Sequence, residues 1–292
     1  MRRDTPAPRL DRDRLRAGRR RSTPWAVPAL LLAAWLLVPA ASLAQPGDLA
    51  LAPFPDVTGA SGESQAVFLN PAAATELGQA AVGLWVSLPQ EGVGSGPMYG
   101  LTLLDPGITL AGGLVVTAQP RAAGEPVSLS YAVAGRLGAA ALGIRPVWTR
   151  TADGSGRWTL DAGLAWHPTP WVSLGVSGLD LPLRSGEALP GRGLAGITVT
   201  ATPLQGTLLE GAQLALGVAD ADLDDEGGLM GRVGLRLPVG PTLRLALGYQ
   251  MDLETGERAG WGGTLGVSLG HLRLEWGYES DPRYRVGLEL GW

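Results

Sequence analysis

From residue 79 to its end, the chain alternates apolar residues with small or polar ones, in short stretches that Gly-, Pro- and Asp-rich breaks separate. The last stretch shows the pattern clearly, with an apolar row at every second position: Tyr284, Val286, Leu288, Leu290 and Trp292. A period of two that turn residues interrupt predicts antiparallel β-strands. We count fourteen such stretches, and no helical period of useful length lies among them, so the expected fold is all-β.

The breaks between the stretches alternate in length. Short ones contain DPG (105–107), LGA (137–139), HPTP (167–170) or PVGP (238–241), and TPLQG is the loosest of this set. Longer ones, such as PQEGVGSGP and DLPLRSGEALPGRG, lie between them. Short turns at one end and longer loops at the other are typical of outer-membrane barrels, in which the short turns are periplasmic. An even number of strands also brings both ends of the chain to the short-turn side.

The row opposite the apolar one consists largely of Gly, Ser, Thr and Ala. It also carries the charges within the strands: Arg145, Arg157, Asp161, Arg232, Arg236, Arg244, Arg273, Glu275, Arg285 and Glu289. An arginine that faces lipid at mid-depth costs roughly 2–4 kcal/mol, so in a barrel these side chains face the lumen. A soluble sheet also keeps its charged side chains opposite its apolar row. A two-sheet sandwich with aromatic residues in its core is therefore still an alternative.

The positions of the aromatic residues favour the barrel. One set lies toward the long-loop ends of the strands: Tyr99, Trp148, Trp158, Tyr249, Trp261, Trp276, Tyr278 and Tyr284. Trp166, Trp171 and Trp292 lie toward the short-turn ends. Two belts of amphipathic rings are typical of a protein that crosses a membrane. We therefore expect residues 79–292 to form a closed, antiparallel transmembrane β-barrel of about 14 strands.

The last strand has two expected roles. It pairs with the first strand, because an unpaired strand edge is not tolerated in hydrocarbon. Its apolar row, which ends on Trp292, resembles the terminal signal that the outer-membrane barrel insertion machinery reads. Across the preceding turn we expect Arg285 opposite Glu275 and Glu289 opposite Arg273, two pairs that would help to fix the register.

Residues 1–44 predict a secretory signal peptide. Nine arginines lie within residues 1–24, an apolar stretch follows at 25–41, and small residues precede a predicted cleavage after Ala44. A membrane anchor is the alternative, although an apolar stretch of this length is at the short limit for a span. Without this leader, 14 arginines stand against 24 acidic residues, and a net charge of −10 argues against a nucleic-acid partner.

Residues 45–78 differ from the rest of the chain and predict a short helix. Asn70 is a good N-cap, and Pro71 suits the first helical position. Residues 72–77 form helix readily, and Gly78 is a suitable stop.

The stretch FLNPA at 68–72 resembles the signature that precedes the barrel in the outer-membrane long-chain fatty-acid transporter superfamily, whose relatives include shuttle barrels of type IX secretion. The stretch AWHPTPWVSLGVSGLDL (165–181) resembles a hairpin of the same group. This resemblance implies a fourteen-stranded barrel with an N-terminal plug in the lumen, here built on Phe68, Asn70, Pro71 and Ala72. The fatty-acid transporters are considerably longer and have large outer loops. A periplasmic tail is the alternative for residues 45–78.

No motif indicates an enzyme, a cofactor or a metal. The two histidines, His167 and His271, lie at short turns, and we interpret both as turn residues. The acidic stretch at 220–227 departs from the calcium-loop pattern at Asp225 and Gly231, so we interpret it as a solvated loop. Without cysteine the chain has neither disulfides nor thiolate metal sites.

The expected function is passive transport of hydrophobic or small solutes across the outer membrane of a Gram-negative-type envelope. The alternative is a non-transporting scaffold or secretion-associated barrel that binds a protein partner. In both cases the expected partners include outer-membrane lipid and the barrel insertion machinery, and nucleic acid is excluded by the charge.

Overall fold

The computed structural model describes residues 56–89, 97–107, 109–118, 127–150, 155–183, 192–200, 210–220, 229–256, 258–280 and 283–292. The predicted signal peptide (1–44), residues 45–55 and most of the acidic loop (221–228) lie outside the described residues.

The strands that the sequence pattern predicts form one closed sheet. They are β1 Ala81–Pro89, β2 Met98–Asp105, β3 Leu110–Ala118, β4 Val127–Leu137, β5 Ala140–Arg150, β6 Gly156–Thr169, β7 Val172–Pro182, β8 Arg192–Thr200, β9 Gln213–Asp220, β10 Leu229–Val239, β11 Leu243–Asp252, β12 Arg258–Leu269, β13 Leu272–Glu279 and β14 Arg283–Gly291. Each strand pairs antiparallel with its neighbours in sequence, and β14 pairs with β1. The expected fourteen-stranded antiparallel barrel is confirmed.

Both ends of the sheet meet at one end of the barrel, which we call the near end. There Ala81 of β1 pairs with Gly291 of β14 and with Leu104 of β2. Five near-end connections have two to four residues. Residues 201–209, which include the TPLQG stretch between β8 and β9, lie outside the described residues.

The apolar rows face outward and the small-residue rows face inward. Leu142, Leu247 and Val286 are 52%, 56% and 48% exposed, whereas Ala132 and Ala165 on the opposite face are fully buried. A sandwich would bury its leucines and valines between two layers, so the closed sheet rules out that alternative. An apolar band around the whole circumference is the surface that a bilayer covers.

Aromatic residues lie near both ends of the barrel. At the far end Trp261, Tyr278 and Tyr284 stack across β12–β14, with successive ring centroids 5.5 and 5.4 Å apart. At the near end Trp171 and Trp292 are about half exposed. Rings at these two levels match the interfacial belts of membrane barrels.

Residues 66–76 form two short helical pieces where the sequence predicts one. The first is α1, Ala66–Leu69, and the second is a 3₁₀ helix, Pro71–Glu76, which begins with the predicted cap at Asn70. Asn70 itself has extended backbone angles, which separate the two pieces. No helix among the described residues is long and apolar enough to cross a membrane.

Candidate functional site

Residues 56–80, which we call the N-terminal segment, lie against the inner row of the sheet, and Asn70 joins the two. Its Oδ1 accepts a hydrogen bond from the Ala72 N–H at 2.9 Å and so caps the 3₁₀ helix. Its Nδ2 donates to Val57 O at 2.8 Å and to Leu164 O of β6 at 3.0 Å. Because the side chain is fully buried, these bonds satisfy polar groups that water does not reach.

Small residues on β5 and β6 let the N-terminal segment approach the wall. Ala72 packs against Ala141 and Ala165, and all three are fully buried. A Cβ added at Gly163 would lie 1.9 Å from Asn70 Oδ1. No side chain fits there, so glycine at this position is required by the close approach of the segment.

Phe68 of the N-terminal segment packs against residues of β1–β3. Its ring meets Trp85 edge-on, with centroids 5.7 Å apart and planes at 89°. Met98 and Val115 complete this buried cluster. Trp85 is an inner-face residue that the sequence analysis did not name, although its position between Leu84 and Val86 indicates the inner row.

Arg145 and Asp161 form a buried ion pair that holds the backbone of the N-terminal segment. They lie directly opposite each other on β5 and β6, and Arg145 Nε donates to Asp161 Oδ2 at 2.7 Å. The other guanidinium nitrogens of Arg145 donate to Val67 O at 2.8 Å and to Phe68 O at 3.1 Å. Asp161 Oδ1 accepts from the Asp180 N–H of β7 at 2.7 Å. The alternating pattern of the sequence places both residues in the lumen but does not pair them.

Asp180 marks an irregular place in the wall beside this ion pair. Among the described residues other than glycine, Asp180 is the one with a positive φ, which is 55°. The β6–β7 ladder shifts register between Leu160 and Ala162, on either side of Asp161. A bulge of this kind re-aims backbone groups, and here it turns the Asp180 N–H toward the carboxylate that Arg145 also binds.

The side of the barrel formed by β10–β14 contacts the N-terminal segment through charged side chains. The Glu63 carboxylate of the segment binds Arg236 of β10 and Arg273 of β13. Arg244 of β11 lies 3.9 Å from Glu63 Oε1. Glu63 and both directly bound arginines are largely buried, so desolvated opposite charges meet here. The importance of Glu63 has no signature in the sequence.

Two glutamates of the wall contact neutral residues of the N-terminal segment. Glu275 of β13 accepts from Gln65 Nε2 at 2.9 Å, and Glu289 of β14 accepts from Ser64 Oγ. Arg273 lies 2.7 Å from Glu275. The segment thus continues the charged network of β13 and β14.

The register of β13 and β14 corrects one expected pair. Arg273 lies opposite Glu289, as predicted, with a nitrogen–oxygen distance of 4.0 Å. Arg285 lies opposite Gly277 and not opposite Glu275. The alternating pattern does not specify how the connection between β13 and β14 turns. The sequence alone therefore gives the face on which Arg285 lies but not the residue opposite it.

Arg232, another residue of the predicted lumen set, is also on the inner face. It lies on β10, four residues before Arg236, and is buried. The predicted insertion-signal row has the opposite orientation, since all five of its side chains are exposed on the outer face of β14: Tyr284, Val286, Leu288, Leu290 and Trp292. Trp292 is joined to the first strand through its N–H, which donates to Ala80 O at 3.0 Å.

At the near end, Glu76 connects the 3₁₀ helix to β4 and β6. Its Oε1 lies 2.6 Å from Arg136 Nη2 and 3.0 Å from His167 Nε2. Burial tends to raise the pKa of Glu76, but His167 and Arg136 outweigh it and lower the pKa below the ordinary 4.5. His167 Nδ1 also lies 2.8 Å from Ser173 Oγ. Its interpretation as a simple turn residue is wrong, because it lies within β6 and contacts a residue about 90 positions away in sequence.

The described residues offer no group of three or more His, Asp or Glu positioned to hold a metal ion. The inner face of the barrel differs between its two sides. On β3–β7 it is lined with small residues and binds the backbone of the N-terminal segment. On β10–β14 it carries arginines and glutamates.

The chain is similar to solved membrane barrels. It is similar to the Ralstonia pickettii toluene transporter TbuX, with a TM-score of 0.55 and 11% identity over 82% of this chain and 98% of that chain. The chain has the fold of an outer-membrane β-barrel. Weaker likenesses, to the Acinetobacter baumannii outer membrane protein Omp33 (TM-score 0.46, 10% identity) and a mutant Rh. blastica porin (0.45, 10%), each cover 73% of this chain, with 98% of Omp33 and 99% of the porin. No protein-family model and no curated protein matches the chain.

Proposed function

We propose that the protein is an outer-membrane channel through which small or hydrophobic solutes cross passively, and that the N-terminal segment is its plug. We further propose that it is a distant relative of the long-chain fatty-acid transporter superfamily, as the FLNPA stretch suggests. The similarity to TbuX, at 11% identity, supports the barrel fold and leaves the solute open.

The observation that carries this proposal is the unequal attachment of the N-terminal segment. Its helical pieces lie closely against β3–β6, where glycine and alanine give them room. Toward β10–β14 its contacts are made by the ends of long polar side chains, such as Glu63 with Arg236. Long side chains can change rotamer without displacing the wall, so a path opens most easily along β10–β14.

Little space remains along that side while the N-terminal segment is in place. The cavity between Glu63, Gln65 and Thr264 has a volume of about 20 Å³, which holds about one water molecule. Passage of a solute therefore requires that the segment moves or that its side chains rearrange. We propose that the arrangement described is the closed state of the channel.

Liposome swelling tests the channel. We expect vesicles with the purified barrel to take up small neutral solutes, and a variant that lacks residues 56–78 to do so several-fold faster. A matched control is the full-length chain with Ala219→Ser, a small change on the inner face of β9. Heat-modifiable gel migration shows that each barrel is folded. If neither the full chain nor the deletion variant admits any solute, the channel proposal is wrong.

The second candidate is a non-transporting barrel that serves as a scaffold or secretion partner. The dense packing of the N-terminal segment favours it, since Val67, Asn70, Ala72 and Ala74 are fully buried. A folded deletion variant without flux, together with one stoichiometric protein partner that co-purifies with the full chain, would support this candidate.

A further inference from the structure

Glu63 occupies a binding site that the barrel wall builds from three strands. Arg236 binds its Oε2, Arg273 binds its Oε1, and Arg244 lies 3.9 Å from Oε1. Both carboxylate oxygens are thus engaged by guanidinium groups, the arrangement by which arginine recognises carboxylates generally. Arg236 and Arg273 are 8% and 11% exposed, whereas Arg244 is 43% exposed, so the site is buried on two sides and reached by water from the Arg244 side.

The charges of the wall show that this site needs a carboxylate from elsewhere. Among the side chains that the structure describes, the inner row of β10–β14 carries five arginines: Arg232, Arg236, Arg244, Arg273 and Arg285. At that depth the described side chains of the same strands include two carboxylates, Glu275 and Glu289. Asp252 lies at the far end of β11, where its carboxylate accepts from the turn N–H groups of Glu254 and Thr255. Arginines thus outnumber carboxylates among these described residues, and the N-terminal segment supplies two acidic residues on this side, Glu63 and the buried Asp56.

The opposite wall provides the contrast. There Arg145 also contacts the N-terminal segment, but its charge is matched within the barrel by Asp161 at 2.5 Å. The segment gives that arginine two backbone carbonyl oxygens and the face of the Phe68 ring, whose centroid lies 5.9 Å from the guanidinium carbon, but no carboxylate. Arg273 also has a barrel carboxylate, Glu275, at 2.7 Å. It differs from Arg145 in that it binds a carboxylate of the segment as well, Glu63, which it shares with Arg236.

We propose that Arg236, Arg244 and Arg273 form a binding site for small, water-soluble carboxylates, and that Glu63 fills it as an intramolecular substitute. The part of this proposal that concerns transported solutes rests on the proposed channel function. The carboxylate of an entering solute takes the place of Glu63 on the arginines, and the contact that holds the N-terminal segment to this wall is lost. Binding and release of the segment are then linked, because the solute binds only the released state.

The surroundings of the site select a short ligand. Polar residues line the adjoining cavity, among them Ser61, Gln65 and Thr264. This cavity has a volume of about 20 Å³, which leaves no room for a long chain while the segment is in place. A ligand about the size of the Glu63 side chain, such as acetate or propionate, therefore fits the chemistry better than a long acyl chain.

A rescue experiment tests the site without measuring transport. The variant Glu63→Ala removes the substitute and leaves room for a solute carboxylate. The measurement is the midpoint temperature of heat-modifiable gel migration, in sodium acetate and in sodium chloride at equal ionic strength. We expect acetate to raise the midpoint of Glu63→Ala in a saturable way, with little effect on the unaltered chain. A second substitution, Arg273→Gln, should raise the half-maximal acetate concentration about tenfold or more, as expected when a charge-assisted hydrogen bond is lost.

Ser64→Ala is the matched control, because it alters the neighbouring contact with Glu289 without emptying the arginine site. It should show no acetate-specific shift. An equal effect of acetate and chloride on Glu63→Ala would overturn the proposal, and so would acetate rescue that persists unchanged with Arg273→Gln. If Glu63→Ala gives no folded band, refolding in acetate should restore it where chloride does not, and failure of that restoration also overturns the site.

This outcome is separate from that of the channel. An acetate-insensitive Glu63→Ala barrel that still passes neutral solutes would remove the carboxylate site and leave the channel proposal standing. Acetate rescue together with no flux through either the full chain or the variant that lacks residues 56–78 would support the site and remove the channel.

Discussion

Arg145 on β5 lies directly opposite Asp161 on β6, and the pair, 2.5 Å apart, faces the backbone of the N-terminal segment. One guanidinium thereby joins two barrel strands to residues Val67 and Phe68. The pair lies next to the bulge of β7 at Asp180, whose N–H donates to the Asp161 carboxylate. Three strands, β5, β6 and β7, and the N-terminal segment therefore meet at this ion pair.

Loss of Arg145 should therefore destabilise the whole barrel. Arg145→Met leaves a buried Asp161 carboxylate without its partner, and breaking a buried pair costs on the order of 3–5 kcal/mol. Unfolding of the reconstituted protein in denaturant measures the loss. Arg150→Met, at the exposed end of the same strand, is the matched control and should be close to neutral. Equal stability of the two variants would show that the ion pair does not hold the segment.

Gly163 should not tolerate even one added methyl group. In Gly163→Ala the new Cβ would collide with Asn70, and overpacking of this kind costs about 1–3 kcal/mol. We expect the N-terminal segment to detach, which limited proteolysis of the folded barrel detects as faster cleavage. Gly266→Ala is the control, since its Cβ would lie at an ordinary 3.6 Å from Arg244 Cβ. Cleavage at the same rate in both variants would contradict the close contact.

The attachment of the 3₁₀ helix at the near end should weaken in acid. The pKa of Glu76 is lowered in the folded protein, so its ionised form stabilises the fold. That stabilisation is fully present above the ordinary pKa of 4.5 and is lost as the pH falls through the lowered value.

Comparison with Glu76→Gln measures this effect. The unaltered protein should have the higher midpoint of heat-modifiable migration at pH 7, and the difference should vanish as the pH falls well below 4.5. A difference that stays constant with pH would mean that Glu76 acts through packing and not through its charge.

An arginine placed on the outer row should show whether that row faces the hydrocarbon of a bilayer. Leu247 is 56% exposed in the middle of β11, and Leu247→Arg should destabilise the barrel in bilayers by roughly 2–4 kcal/mol. Leu269, 58% exposed at the near-end turn, is the control, because an arginine near the interface costs about 0–1 kcal/mol. Unfolding from vesicles compares them. If both variants are equally stable, Leu247 does not face hydrocarbon.

For much of the site, the sequence predicts on which face of the sheet a residue lies but not which residues it contacts. The parity of Arg145, Arg236 and Arg273 gives their common face, because side chains alternate at every step along a strand. The partners of these residues depend on register, and register depends on how each connection turns. The same reasoning pairs Arg273 with Glu289 correctly and pairs Arg285 with Glu275 wrongly.

The sequence by itself determined the number of strands, the outward row and the cap at Asn70, since each depends on residues within about ten positions of one another. Only the tertiary structure decided that Glu63 meets Arg236 and Arg273, and that Glu76 meets His167. These contacts join residues about 90 to 210 positions apart. They arise when a closed sheet brings distant strands around one segment, and no local pattern of residues records which side chains then meet.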